Sequence, residues 1–185
     1  MLSAPAMTAP ARPSKVAPAP SLPFQAAAVV GGAVAMAVAG RLSIPIGPVP
    51  ITLQTYVLFV IAGLFGGRLA LAAVALWLAA AALGAPVLAD GAAGWRAVTG
   101  HTAGFLAGMA AAAWVCGEGA ARTQGVWRLT ALFLAGHVIV LAVGWAGLAS
   151  FMDPGPAFTV AVLPLLPGAI AKSLAAAATV RAVKR

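Results

Sequence analysis

The sequence predicts an all-α integral membrane protein in which six transmembrane helices form one bundle. Of its 185 residues, 63% are apolar and only 8% are charged, and the mean hydropathy is +1.04. A soluble domain of this length needs far more charge to cover its surface. The apolar residues fall in six segments of roughly 16–25 residues, the length that crosses a ~30 Å hydrocarbon layer. Because irregular backbone cannot face lipid, these segments must be packed helices.

Residues 1–23, which precede the first predicted helix, are rich in alanine and proline. Arg12 and Lys15 are not followed by a continuous apolar segment within this stretch, so it lacks the pattern of a secretory signal. We therefore predict a disordered N-terminal tail over residues 1–23 and one six-helix transmembrane domain over residues 24–185.

Glycine, proline and charged residues mark the boundaries of the six spans. The second and third spans are short, and a tight turn at residues 66–68 separates them. The predicted spans cover residues 24–40, 51–66, 69–84, 100–117, 129–149 and 157–180.

The charged residues are divided unequally between the two ends of the bundle. With six spans both termini lie on one side, and that side has eight basic residues against one acid, Glu118. The other side has Arg41 and Arg96, balanced by Asp90 and Asp153. Basic residues favour the cytoplasmic side, which predicts a multi-pass protein of the inner (plasma) membrane with both termini in the cytoplasm. The eight residues are Arg12, Lys15, Arg68, Arg122, Arg128, Arg181, Lys184 and Arg185.

Several classes of partner and cofactor are disfavoured. The net charge of +8 does not indicate nucleic-acid binding, because the basic residues form no patch with interleaved aromatic residues. The single cysteine, Cys116, excludes an internal disulfide and a cysteine-rich metal site. His101, His137 and Asp90 have no recognisable metal-ligand spacing. We expect no metal, no cofactor and no nucleic acid.

The segment PVPITLQT at residues 48–55 combines a stiff approach with polar side chains at a helix start. Its prolines fix φ and favour extended geometry in the residue before each of them. A rigid loop that leads to polar groups at a helix end is typical of a ligand site open to one membrane face. Helical spacing of about 100° per residue predicts Thr52 and Thr55 on one face and Gln54 nearly opposite. Thr52 is also a candidate N-terminal cap.

Lys172 is the only basic residue predicted well inside a span. A lysine near the bilayer centre costs about 2.5–3.5 kcal/mol on insertion scales, so it normally has a partner or a task. None of the six spans contains an aspartate or glutamate, and a ligand carboxylate would supply the missing charge. The alternative is a lysine whose ammonium reaches an interface while its stem stays buried.

Residues 84–105, which include the outer connection between the third and fourth spans, are rich in glycine, with the segments GAPVLADG, GW and GHTAGF. Glycine lets the backbone approach a bound ring closely and exposes N–H groups to it. A glycine-rich loop that dips back into the bundle without a ligand is the alternative.

Three segments together resemble the BioY family, the biotin-binding S components of energy-coupling-factor (ECF) transporters. Residues 48–55 resemble the family's loop 1 and helix 2 signature, and residues 84–105 follow its loop 3 layout. The segment LPLLPGAIAK at residues 163–172 resembles the family motif PFLPGDLIK. The resemblance implies the S-component fold and a ligand site that includes Lys172, Gln54, Thr52, Asp90, Gly91, Trp95, Thr102 and Phe105.

The same resemblance implies partners. In this family a transmembrane coupling subunit and two ABC-type ATPases supply the energy for uptake, and the chain has no phosphate-binding loop of its own. The family docks the coupling subunit on an Ala-x-x-x-Ala face of helix 1, which Ala33 and Ala37 match. Ordinary packing inside the bundle is the alternative for these two residues.

Two positions depart from the family pattern. Ala169 replaces the aspartate of the PGD motif, and Ala92 stands where some members have a polar amide. Both changes remove groups that would hydrogen-bond a ureido ring, and each unmade bond costs on the order of 1–3 kcal/mol. Asp90 is a candidate replacement acceptor.

The sequence therefore predicts a biotin-binding S component that mediates biotin uptake with an ECF module. An S component for another small carboxylate vitamin is the first alternative. A small multispan membrane enzyme is the second, and it is disfavoured because no span contains a paired acid, a Gly-x-Ser-x-Gly elbow or a His-Glu-x-x-His set.

Overall fold

The computed structural model describes residues 20–185, so residues 1–19 of the predicted tail lie outside it. The described chain has eight α-helices and one two-stranded antiparallel hairpin between the first two helices. The helices are α1 Leu22–Arg41, α2 Gln54–Phe65, α3 Gly67–Ala82, α4 Trp95–Thr99, α5 Ala103–Arg122, α6 Val126–Leu148, α7 Pro154–Ala161 and α8 Leu166–Val183. The strands are β1 Ser43–Ile44 and β2 Ile51–Thr52, and 3-10 turns occur at Ala89–Gly91 and Leu163–Leu165.

The six predicted spans are present as one bundle. Three single helices, α1, α5 and α6, are long and apolar enough to cross a membrane, as is the segment Pro154–Val183. The helices α2 and α3 are shorter apolar helices that complete the six. The all-α membrane fold is therefore confirmed, with the hairpin as an addition that the sequence analysis did not predict.

The sixth span is interrupted where the sequence has two prolines. It consists of α7, the 3-10 turn Leu163–Leu165 and α8. Proline lacks the N–H that a continuing helix would use, so Pro164 and Pro167 favour a break followed by a new helix start. Because the helical hydrogen bonds are interrupted here, α8 begins beside the hairpin, next to the candidate site.

Most predicted boundaries are shifted by a few residues in the structure, and two of the differences have an identifiable reason. The second span begins at Gln54 because residues 51 and 52 pair with β1, with Ser43 opposite Thr52. The fourth span continues past Gly117 to Arg122. A Cβ at Gly117 would overlap the backbone nitrogen of Gly67, so this glycine permits the close approach of α3 to α5 and does not end the helix.

The interior of the bundle combines glycine contacts with a few large side chains. A Cβ at Gly104 would lie 2.5 Å from the carbonyl oxygen of Val143, so α5 and α6 pack with their backbones close together, as small residues permit in membranes. Phe59 and Phe133 are fully buried and stack with ring centroids 5.2 Å apart. This packing fixes α2, α5 and α6 around the cavity described below.

The exposed surface of α1 and α8 is apolar. Val30, Val34 and Val38 are exposed on α1, and Ile170 and Leu174 are exposed on α8. Side chains of this kind suit a helix surface in contact with lipid. On α1, Ala33 is buried and Ala37 is half-buried, and both contribute to the packing of the bundle interior.

Candidate ligand-binding site

A cavity of about 400 Å³ lies at the end of the bundle where the α1–α2 and α3–α5 connections meet. Its wall is formed by these two connections together with residues of α2, α5, α6 and α8. The volume lies within the range of small-molecule sites. The elements that carry the sequence motifs therefore converge on one cavity.

The hairpin places two polar side chains at the start of α2. Thr52 ends β2, and its hydroxyl donates to Oε1 of Gln54 at 3.1 Å. The same hydroxyl oxygen is 3.4 Å from the backbone nitrogen of Gln54 and accepts its N–H, so it serves the first residue of α2. Leu53, between the two, is the residue that formally precedes the helix.

The side chain of Gln54 is buried and held against α1. Its Nε2 donates to the carbonyl oxygen of Met36 at 3.4 Å. A Cβ at Gly40 would lie 2.7 Å from that Nε2 atom, so only glycine at position 40 leaves room for the amide. The position of the Gln54 side chain therefore depends on a glycine at position 40.

The predicted separation of Thr52 and Gln54 onto opposite helix faces was wrong. It assumed that both residues lie on one straight helix, whereas Thr52 belongs to β2 and Gln54 is the first residue of α2. The change from extended to helical backbone between them directs both side chains to the cavity. Thr55 also lines it.

Lys172 lies in the second turn of α8 and reaches the cavity wall. Its side chain is half-buried, and Nζ donates to the carbonyl oxygen of Thr52 at 3.0 Å. Within residues 20–185 no carboxylate pairs with this ammonium. A backbone carbonyl therefore satisfies one of its three donors, and its positive charge remains uncompensated at the cavity wall.

His137 joins three helices at the inner part of the cavity. Its Nε2 lies 3.1 Å from the hydroxyl of Thr55 on α2, and its Nδ1 lies 2.8 Å from the hydroxyl of Ser173 on α8. His137 therefore links α6 to α2 and α8 by hydrogen bonds. Its position on the cavity wall was not predicted, although a histidine in the middle of an apolar span is the signal that could have indicated it.

The α3–α5 connection is fixed to the rest of the bundle by polar contacts. The Asp90 carboxylate accepts a hydrogen bond from the Ser43 hydroxyl of β1. The guanidinium of Arg41 donates to the carbonyl oxygen of Pro86 at 2.8 Å. The buried indole of Trp77 donates to the carbonyl oxygen of Val87 at 2.8 Å. These contacts hold the connection over the cavity.

Asp90 itself has φ of 54°, the left-handed conformation that aspartate tolerates better than most residues. This conformation lies in the 3-10 turn Ala89–Gly91 and brings Asp90 to the cavity wall. The following Gly91 has its Cα hydrogen directed at Arg41, since a Cβ there would lie 2.7 Å from Nη1. Gly91 therefore supports the turn and does not itself line the cavity.

Six of the eight predicted ligand contacts line this one cavity. Gly91 and Trp95 do not line it, and the side chain of Trp95 is 68% exposed. Arg96 and His101 line the cavity, but the sequence analysis did not assign them to the site. The charge of Arg96 in an outer connection is the sequence signal that could have indicated its role. The six are Thr52, Gln54, Asp90, Thr102, Phe105 and Lys172. Within residues 20–185, no group of three or more His, Cys, Asp or Glu could hold a metal ion.

Comparison with known proteins places this arrangement in a family. Residues 14–185 match the sequence profile of the BioY family. The chain belongs to the BioY family. A search of curated protein sequences found no match.

This BioY family member is similar to a solved structure described as the crystal structure at 2.1 Å of the S-component for biotin from an ECF-type ABC transporter. The TM-score is 0.77 and the sequence identity is 26%, and the match covers 90% of this chain and 95% of that chain. The predicted S-component fold is confirmed. The two departures from the family pattern, Ala92 and Ala169, both lie on the cavity wall.

Proposed function

We propose that this protein is the membrane-embedded S component of an ECF transporter and that it binds biotin for uptake. The observation that carries the proposal is the position of Lys172, a half-buried cation without a carboxylate partner on the wall of a 400 Å³ cavity in a BioY family chain. A small carboxylate ligand supplies the charge that this ammonium lacks. Membership of this family supports a transporter subunit and not an enzyme.

The cavity wall offers partners for each part of such a ligand. The carboxylate pairs with Lys172, and apolar side chains of α5 and α6, including Phe105, Met109 and Val140, contact the ring and the aliphatic chain. Ligand N–H groups donate to the Asp90 carboxylate or to the hydroxyl of Thr52. Exclusion of water by the two connections strengthens each of these polar contacts.

The orientation and the partners follow from the same proposal. Both termini face the cytoplasm, because the end of the bundle opposite the cavity carries most of the basic residues. The cavity then opens to the outside, where it captures the ligand.

A coupling subunit and two ATPases supply the energy, and the coupling subunit docks against α1. On that helix Ala37 is more accessible than Ala33, which is buried.

A second candidate is an S component for a different small carboxylate vitamin. Ala92 and Ala169 favour it, because two alanines on the cavity wall provide no side-chain hydrogen bond to a ureido ring. Lys172 serves either ligand equally well through its charge.

Competition binding distinguishes the two candidates. Purified protein is equilibrated with radiolabelled biotin, and unlabelled biotin and other carboxylate vitamins are added as competitors. We expect displacement by unlabelled biotin at the lowest concentration and recovery of the bound ligand chemically unchanged. Stronger displacement by another carboxylate favours the second candidate, and conversion of the ligand contradicts both.

A further inference from the structure

Arg96 is a cation at the opening of the cavity that the site described so far does not use. It belongs to the short helix α4 in the connection over the cavity, and it lines the cavity while its side chain remains exposed. A side chain that is both exposed and part of the cavity wall lies where the cavity meets solvent.

The guanidinium of Arg96 is not engaged elsewhere. Within residues 20–185 its side chain has no hydrogen-bond or ion-pair partner, whereas Arg41, the other arginine at this end of the bundle, donates to Pro86 and does not line the cavity. Asp90, the one acidic residue on the described cavity wall, accepts a hydrogen bond from Ser43. Arg96 and Lys172 together outnumber this single carboxylate, so the cavity carries a net positive charge.

We infer that Arg96 is the residue that draws the anionic ligand into the cavity, before Lys172 pairs with its carboxylate. The inference rests on the proposed function. A charge at the rim of a site acts on the association rate, whereas truncation of a buried charge acts on dissociation. A cleft with low-dielectric walls focuses the field of its charges and raises the local concentration of the opposite ion. Arg96 therefore determines how fast carboxylates enter, and Lys172 determines how long they remain.

The test measures association and dissociation rates of biotin and of its neutral methyl ester by stopped-flow fluorescence. Arg96→Gln removes the charge and Arg96→Lys retains it. Asp153→Asn is the control variant. It also changes the net charge of this end of the bundle by one unit, but at a residue that does not line the cavity. Both positions are exposed, so the three variants are expected to fold.

We expect Arg96→Gln to slow the association of biotin by about threefold to tenfold at low salt, in line with electrostatic steering. Its dissociation rate and its association with the methyl ester stay unchanged. Arg96→Lys restores most of the rate, and Asp153→Asn has little effect. The difference disappears at about 1 M salt, where the Debye length is about 3 Å.

Three results would overturn the inference while leaving the proposed function intact. They are an unchanged association rate for Arg96→Gln, an equal loss for the methyl ester, and an increase for Asp153→Asn as large as the decrease for Arg96→Gln. The last result would mean that the association rate depends on the net charge of this end of the bundle and not on Arg96 in particular. Failure of the wild-type protein to bind biotin at all would overturn the proposed function and the inference with it.

Discussion

The ammonium of Lys172 donates a hydrogen bond of 3.0 Å to the carbonyl oxygen of Thr52. Thr52 pairs with Ser43 across the hairpin, and the Ser43 hydroxyl donates to the Asp90 carboxylate. One series of contacts therefore joins α8, the hairpin and the α3–α5 connection, three elements that enclose the cavity. A ligand carboxylate that pairs with Lys172, as proposed, would act on the first contact of this series, so we expect ligand binding to be coupled to the position of the hairpin.

The coupling predicts that both connections respond to the ligand together. Backbone amides in residues 44–50 and 86–99 should exchange more slowly with solvent when biotin is bound, because closure excludes water from both segments. Hydrogen–deuterium exchange with mass spectrometry measures this. Residues 123–125, the turn at the opposite end of the bundle, serve as the internal reference. Equal exchange with and without ligand in both connections would mean that the ligand binds elsewhere.

A pair of glycine substitutions on α1 tests the placement of Gln54. The methyl group that Gly40→Ala adds would lie 2.7 Å from Nε2 of Gln54. This distance is too short, so the amide must leave its position. We expect weaker biotin binding by about 1–3 kcal/mol, the cost of a buried hydrogen bond left unmade. Gly31→Ala is the matched control, since nothing lies within 4 Å of the added methyl group. Equal affinities for the two variants in a binding titration would remove Gln54 from the site.

Two variants distinguish a direct role of the Asp90 carboxylate in ligand binding from its contact with Ser43. Asp90→Gly removes the carboxylate and keeps a residue that accepts the positive φ without strain, whereas Ser43→Ala removes only the hydroxyl donor. If the carboxylate accepts a ligand N–H, Asp90→Gly weakens biotin binding by about 1–3 kcal/mol, and Ser43→Ala weakens it less. Isothermal titration of both variants measures the difference. The opposite ranking would show that Asp90 only positions the connection.

The proposed orientation is tested by thiol labelling in cells. The buried Cys116 is first replaced by alanine, and single cysteines are introduced by Lys15→Cys, Lys184→Cys and Ser150→Cys. Ser150 is exposed in the connection between α6 and α7. An impermeant reagent should label the cysteine at 150 in intact cells and those at 15 and 184 only after permeabilisation. Labelling at 15 or 184 in intact cells would contradict cytoplasmic termini.

The sequence predicted the six spans because the requirement for about 20 apolar residues per crossing leaves few alternatives. It did not predict the hairpin, since Ser43–Ile44 and Ile51–Thr52 are only two residues each and the pattern of such short strands is too brief to recognise. It misplaced the end of α5 because Gly117 resembles a helix terminus, and its packing against Gly67 depends on a distant part of the chain.

The candidate site was predictable where a residue is unusual for its surroundings. Lys172 is a cation inside an apolar span, and it does reach the cavity. Trp95 was assigned through the resemblance of the glycine-rich segment to the family's loop 3, whereas the side of α4 that faces the cavity depends on tertiary packing. Arg96, its neighbour, lines the cavity instead. Sequence position therefore identified the connection, and only the fold determines which of its side chains face inward.

The central claim is that Lys172 supplies the charge that pairs with a ligand carboxylate. Equilibrium binding of biotin and of its methyl ester to the wild-type protein and to Lys172→Ala tests it most directly, because the ester also controls for the loss of the contact with Thr52. We expect Lys172→Ala to weaken binding of the acid by about 2–5 kcal/mol, mostly from the unpaired anion, with little change for the ester. Equal losses for acid and ester, or no loss for either, would contradict the claim.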